Sequence, residues 1–179
     1  PAKRETVAKK NGLTEKTLRN RIAELKKRDL IEKPSSIIKR NKKPLITEND
    51  EIKIAAVTRT SGNLILDAGS NEITQTGVID IATGTASLTG GAITLEGANI
   101  LGTVTVNSGA GRVSLTENDA IEIAAITRTS GNLILDAGSN AITQTGAIDI
   151  ATGTANLTGG AITLDGANKL GSVTVNSGS

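Results

Sequence analysis

From Leu45 onward the chain alternates apolar and polar positions in short bursts, each closed by Gly, Asn, Asp or Ser. Leu64-Ile65-Leu66, Ile79-Asp80-Ile81, Ile93-Thr94-Leu95, Val104-Thr105-Val106, Val113-Ser114-Leu115 and Ile121-Glu122-Ile123 each put apolar side chains on one face of an extended segment. Strands this short and this regularly interrupted predict a solenoid or a sandwich. An internal repeat decides between them: Ile46–Gly109 realigns on Leu115–Gly178 at a constant offset of 69, with 54 of 64 positions identical. Self-similarity over tens of residues means a fold that propagates in one direction, each unit burying its apolar face against its neighbours. The predicted architecture is mainly β, a parallel β-helix of about six coils from about Pro44 to Gly178. One partition of the unit gives three coils, Gly62–Gly84, Thr85–Gly109 and Ala110–Ser130, each with about three strand-like pieces and a triangular cross-section. At the strand spacing this is a rod of roughly 30 Å, with equivalent chemistry recurring on one face about every 14 Å.

Pro1–Pro44 follows a different period. A short helix ends at Gly12, and a second starts from Thr14 as N-cap, with Leu18, Ile22 and Leu25 forming one apolar stripe. Charge separates the same two segments. Residues 1–44 hold 15 Lys/Arg against 5 Asp/Glu, and residues 45–179 hold 5 against 13. The domain boundary is therefore expected at Pro44, between a basic helical segment (1–44) and a β-solenoid (45–179). A basic block beside an acidic one points to a polyanion as partner for the first, or to a cap on the second.

Composition narrows the chemistry. The chain has no Cys, His, Met or aromatic residue, which excludes disulfides, thiolate metal sites and imidazole catalysis. A stack of Val, Ile, Leu, Ala and Thr coils needs no ring side chains in its core. No apolar run approaches the length of a membrane span, and the basic N-terminus is not followed by the apolar stretch of a secretion signal. The first residue is Pro rather than Met, as expected of a processed or excised piece. The C-terminal Val173–Ser179 carries no polar capping element, so the solenoid is expected either to continue or to self-associate through its ends.

Two resemblances add to this reading. Val7–Leu25, with Ala8 at a helix crossing, Gly12 at the turn and Leu13 facing inward, resembles the helix-turn-helix of winged-helix regulators. That resemblance implies duplex DNA as partner, with Thr14, Glu15, Lys16, Arg19 and Asn20 toward the major groove and Lys9, Lys10 and Arg21 nearer phosphates. The family's initial helix has no room in Pro1–Glu5. The phrases Gly62-Asn63-Leu64-Ile65-Leu66-Asp67-Ala68-Gly69, Ala141-Ile142-Thr143-Gln144-Thr145-Gly146 and Gly160-Ala161-Ile162-Thr163-Leu164-Asp165 resemble filamentous-haemagglutinin-type repeats. This implies a right-handed parallel β-helix, secreted or at a bacterial cell surface, working as an adhesive or spacing stalk toward a host or cell-surface ligand. It carries over no binding residue.

Acidic and hydroxyl positions are the remaining candidates. Asp67, Glu72 and Asp80 share one coil and recur in part as Asp136 and Asp149, but with no aromatic surface to stack a sugar they read as turn and face residues, not glycosidase carboxylates. Thr47–Glu51 and Thr116–Asp119 offer oxygen ligands without a calcium-loop pattern and also read as turns. Thr58/Thr60, Thr74/Thr76 and Thr143/Thr145 form an interrupted Thr array. No metal, cofactor or catalytic residue is assigned. The expected function is a non-enzymatic, adhesin-like structural module. The alternative is a cytoplasmic DNA-binding module, or a hybrid or engineered chain, in which the solenoid serves assembly or spacing.

Overall fold

The computed structural model describes residues 45–47 and 50–178. The predicted helical segment, with Lys9, Lys10, Thr14, Glu15, Lys16, Arg19, Asn20 and Arg21, lies outside the described residues. The first repeat contributes β1 (Leu45–Thr47), β2 (Ile52–Ile54), β3 (Val57–Thr58), β4 (Leu64–Asp67), β5 (Glu72–Gln75), β6 (Ile79–Asp80), β7 (Thr85–Gly90), β8 (Ala92–Asn99) and β9 (Thr103–Ser108). The second contributes β10 (Val113–Glu117), β11 (Ile121–Arg128), β12 (Leu133–Asp136), β13 (Ile142–Gln144), β14 (Ile148–Asp149), β15 (Thr154–Gly159) and β16 (Ser172–Ser177).

Every strand pairing is parallel, and the strands stack into two main sheets. One runs β1-β4-β7-β9-β11-β13, with β14 also on β11; the other runs β2-β5-β8-β10-β12-β15-β16. β3 and β6 form a short third pair beside the second sheet. Each coil's strands pair with those of the coils before and after it, so the chain is the predicted parallel β-solenoid of about six turns.

The core is a set of like-on-like ladders between the sheets. Leu66, Leu88, Val106, Ile126 and Ile148 stack in register on one side. Leu95, Leu115, Leu135 and Leu157 do so on the other. All are buried. Burial alternates along strands such as β4, β7, β9 and β12, because successive side chains point to opposite faces. The ten positions that differ between repeats keep this interior apolar. Eight of them, from Glu51/Ala120 to Thr103/Ser172, are exposed or half-buried, and the other two exchange Ile, Leu and Val.

Coil length departs from the sequence reading. Along Ile46, Leu66, Leu88, Val106, Ile126 and Ile148, partners lie 20, 22, 18, 20 and 22 residues apart. A coil thus takes about 20 residues, and the 69-residue unit holds three and a half coils rather than three. Seven half-coils per unit is an odd number, so each repeat begins on the sheet opposite its predecessor. The identical Leu-Ile-Leu-Asp strands β4 and β12 lie in different sheets, as do the near-identical β9 and β16. Two sheets with a short edge pair replace the expected triangle, and one face recurs only every second repeat, about 34 Å apart by strand spacing.

Corners fix this geometry. A Cβ on Gly84 would lie 2.0 Å from the Gly62 carbonyl oxygen, and one on Gly153 would lie 1.9 Å from that of Gly131. Only glycine permits backbone this close at a corner. Asp67 and Asp136 close the next bend by accepting the N–H of Gly69 and Gly138 at 3.0 and 2.9 Å. Asp80 and Asp149 do the same for Ala82 and Ala151, at 3.0 and 2.8 Å, and hold those alanines at φ 50° and 51°.

Inserting one further 69-residue unit at the repeat junction should lengthen the rod by about 17 Å and turn the downstream part by half a revolution. Distance measurements between spin labels on outward positions of the first and last repeats test both. An unchanged relative orientation would show that the unit holds whole coils.

Candidate functional site

Two arrangements break the apolar interior. The first is an amide clamp present in both repeats. Asn99 Oδ1 accepts from Gln75 Nε2 at 2.9 Å and from the Ile79 N–H at 3.0 Å, and Asn99 Nδ2 donates to Gln75 Oε1 at 2.9 Å. The same Nδ2 reaches the Leu95 and Thr116 carbonyls, both at 3.1 Å. Asn168 repeats the clamp on Gln144 and the Ile148 N–H, all within 2.7–2.9 Å. Gly97 and Gly166 leave room for it, since a Cβ there would lie 2.5 and 2.1 Å from the glutamine nitrogens. Asn99 is fully buried. Its amide satisfies backbone groups where the strand leaves the sheet, as a buried polar group must.

The second arrangement lies at the junction between repeats and holds two buried charges. Glu117 ends β10 with its side chain turned inward, and its Oε2 accepts the Leu101 N–H at 3.0 Å while Oε1 has no partner. Burial pushes its carboxyl up from 4.5 to about 7; the Leu101 hydrogen bond opposes the rise and the nearby Asp119 charge adds to it. Arg128 ends β11. Its Nε donates to Ser108 Oγ at 2.8 Å, its Nη2 to the Gly111 carbonyl, and Nη1 is buried without a partner. Burial lowers its pKa from the ordinary guanidinium value. Both residues belong to the second repeat, and through Leu101 and Ser108 they bind groups of the first. The counterpart of Arg128 in the first repeat is Arg59, and its Nε donates locally, to the Ser61 carbonyl at 3.3 Å.

The other acidic candidates are distributed along the solenoid. Asp67, Asp80, Asp136 and Asp149 are turn acceptors, and Glu72 is exposed. Asp119 accepts the N–H of Ala120 at 2.7 Å, while its neighbour Glu117 faces the interior, where a turn residue was expected. No group of three or more carboxylates converges among the described residues in a way that would hold a metal ion. Thr74 and Thr94 do stack, but Lys53 precedes them and Ser114 and Ile134 follow on the same outward line. Arg112 and Glu96 pair at the surface over the buried Ser114, whose Oγ lies 2.8 Å from Glu96 Oε1. Surface concavities are open and shallow: one lies beside Gln75, Val78 and Glu96, another along Gly69, Glu72, Gly91 and Gly111. The inward turn of Glu117 was hidden in the sequence by the polar run Glu117-Asn118-Asp119, which reads as a solvated turn.

A family model described as repeats of unknown function matches residues 44–108 and again 110–177. Its units coincide with the internal repeat. No curated protein and no solved structure matches the chain.

Because the folded-state pKa of Glu117 is raised, its favourable contribution is fully present below pH 4.5 and is lost as pH rises to about 7. Stability should fall by about 3 kcal/mol across that window. Glu117→Gln keeps an acceptor for Leu101, so it should match the parent near pH 4.5 and exceed it by about 2–3 kcal/mol at pH 8. Urea denaturation at both pH values checks this; equal pH dependence in the two proteins would contradict it. Asn99→Ala should cost about 3 kcal/mol by stranding the Ile79 N–H and two carbonyls, and Asn168→Ala about 1 kcal/mol because that residue is half-exposed. The same denaturation measurement ranks the two.

Proposed function

The chain belongs to this family of repeats (DUF5649), and on that premise we propose that it is a non-enzymatic spacing and display module, adhesin-like, of a secreted or bacterial surface protein. The observation that carries this reading is the division of labour between interior and surface. The apolar ladders run through both repeats with only Ile, Leu and Val exchanged, while the other eight differences between repeats lie on exposed or half-buried positions. A rod with a fixed interior and variable exterior sets distance and presents surface. Four of the aspartates that stand out in the sequence, Asp67, Asp80, Asp136 and Asp149, close turns, which supports a scaffold over a catalyst. The bacterial surface enters through the resemblance of the Gly62–Gly69 and Gly160–Asp165 phrases to filamentous-haemagglutinin repeats.

Charge segregation favours a second reading. Fifteen Lys/Arg in residues 1–44 form a block suited to duplex DNA, with the solenoid then serving as spacer. A titration of the full chain against labelled duplexes of different sequence separates the two. The scaffold reading expects weak, sequence-indifferent binding that vanishes at physiological salt, with Lys16→Ala and Arg19→Ala each lowering affinity only a few-fold. Sequence-selective binding that Arg19→Ala reduces tenfold or more would instead make the N-terminal segment a DNA reader.

A further inference from the structure

One difference between the repeats writes a motif that the first repeat lacks. Ser87-Leu88-Thr89 becomes Asn156-Leu157-Thr158, an asparagine with a threonine two places on and no proline between them. Triplets of this form are the acceptors of N-linked sugars. No other asparagine in the chain is followed two places on by Ser or Thr.

The triplet lies in β15, and the strand sorts its side chains. Leu157 points inward, in the column between Leu135 and Val175, while Asn156 and Thr158 point outward. Asn156 is exposed and Thr158 half-buried. β15 is paired on both sides, by β12 and by β16, so the exposure of Asn156 belongs to the outer face of the sheet. Among the described residues the Asn156 amide makes no hydrogen bond. The Asn99 and Asn168 amides, by contrast, hold corners, and Asn132 Oδ1 accepts from Thr154 at 2.8 Å. Register sets Asn156 beside Ile134, which faces outward and is half-buried.

We propose that Asn156 is the acceptor of an N-linked sugar. The donor class is a sugar activated through its anomeric carbon by a diphosphate, carried either on a nucleotide or on a lipid. In the transfer, the Asn156 amide nitrogen bonds to that carbon and the bond from the carbon to the diphosphate oxygen breaks. The diphosphate leaves with the electron pair, and the nitrogen gives up one proton to the transferase. Geometry sets the order of events: once β12 and β16 are paired to β15, its backbone is committed to the sheet, so transfer precedes the folding of these rungs. The folded rod then accommodates the sugar, because it hangs from the outer face and displaces no core atom. The apolar face of its ring covers the outward side chain of Ile134. A sugar here makes the second repeat unlike the first, where Ser87 sits beside Ile65. The site stands independently of whether the rod is displayed at a surface.

Peptide mass spectrometry of the full chain, recovered from the cells that naturally make it and denatured before digestion, tests the proposal. Trypsin cuts after Arg128 and Lys169 and releases Thr129–Lys169, with Asn156 inside. The expected result is a sugar on this peptide that fragmentation places on Asn156. A single hexose or a short stepwise series identifies the nucleotide-linked donor, and one oligosaccharide of uniform mass the lipid-linked donor; both support the site. Thr158→Ala should abolish the modification and Thr158→Ser should keep it, with the circular dichroism spectrum unchanged in both because the side chain faces outward. Unmodified Asn156 in the native chain overturns the proposal, as does a sugar that persists in Thr158→Ala. In extract from the same cells, chain diluted from urea should be modified at least roughly tenfold faster than folded chain, since the folded strand must first open. Equal rates would overturn the order of transfer before folding.

Discussion

The hydrogen-bond register between successive coils is the constraint on which the rest of this structure depends. Each strand has its backbone partners in the coil before and the coil after, so a residue's neighbours across the sheet lie about 20 positions away in the chain. Parallel stacking in register puts like residues on like: Leu95 on Leu115 on Leu135 on Leu157 is one column of the core. Without aromatic residues the core has no large units to fill irregular space. Regular columns of branched aliphatic side chains bury the available apolar surface instead, and a regular column holds only while every corner turns at the same place.

The corners therefore carry most of the sequence's special chemistry. Gly84 and Gly153 let one coil sit on the carbonyl of the coil beneath, and the Asp67, Asp80, Asp136 and Asp149 carboxylates stand in for backbone acceptors where the chain bends. The amide clamps Gln75–Asn99 and Gln144–Asn168 work at the wider turns, where the chain leaves the sheet and its N–H and C=O groups would otherwise be orphaned. Four of the five acidic positions that the sequence singles out, Asp67, Asp80, Asp136 and Asp149, thereby hold the coil.

The repeat junction differs from the other coil contacts because it contains charge. Glu117 and Arg128 come from the second repeat, bind Leu101, Ser108 and Gly111, and leave Oε1 and Nη1 buried without partners. Such groups are costly, and the hydrogen bonds each still makes, Glu117 to Leu101 and Arg128 to Ser108 and Gly111, limit that cost in the observed register.

Alternation of apolar and polar residues, the Gly/Asn/Asp corners and the offset of 69 determined by themselves that residues 45–178 form a parallel solenoid of about six turns with Leu64, Leu66, Ile93, Leu95, Val104 and Val106 inside. These are local properties: a strand two residues out of phase still shows which side chains share a face. Only the tertiary structure decided that a coil takes about 20 residues, that 69 residues hold an odd number of half-coils, and that β4 and β12 consequently face opposite ways. It also decided that Glu117 turns inward while Asp119 beside it closes a turn. Coil length depends on which corner stacks on which, and a glycine or aspartate looks the same in sequence whether it ends a third of a coil or a half. The pairing is set by hydrogen bonds between residues about 20 apart, and no local pattern contains them.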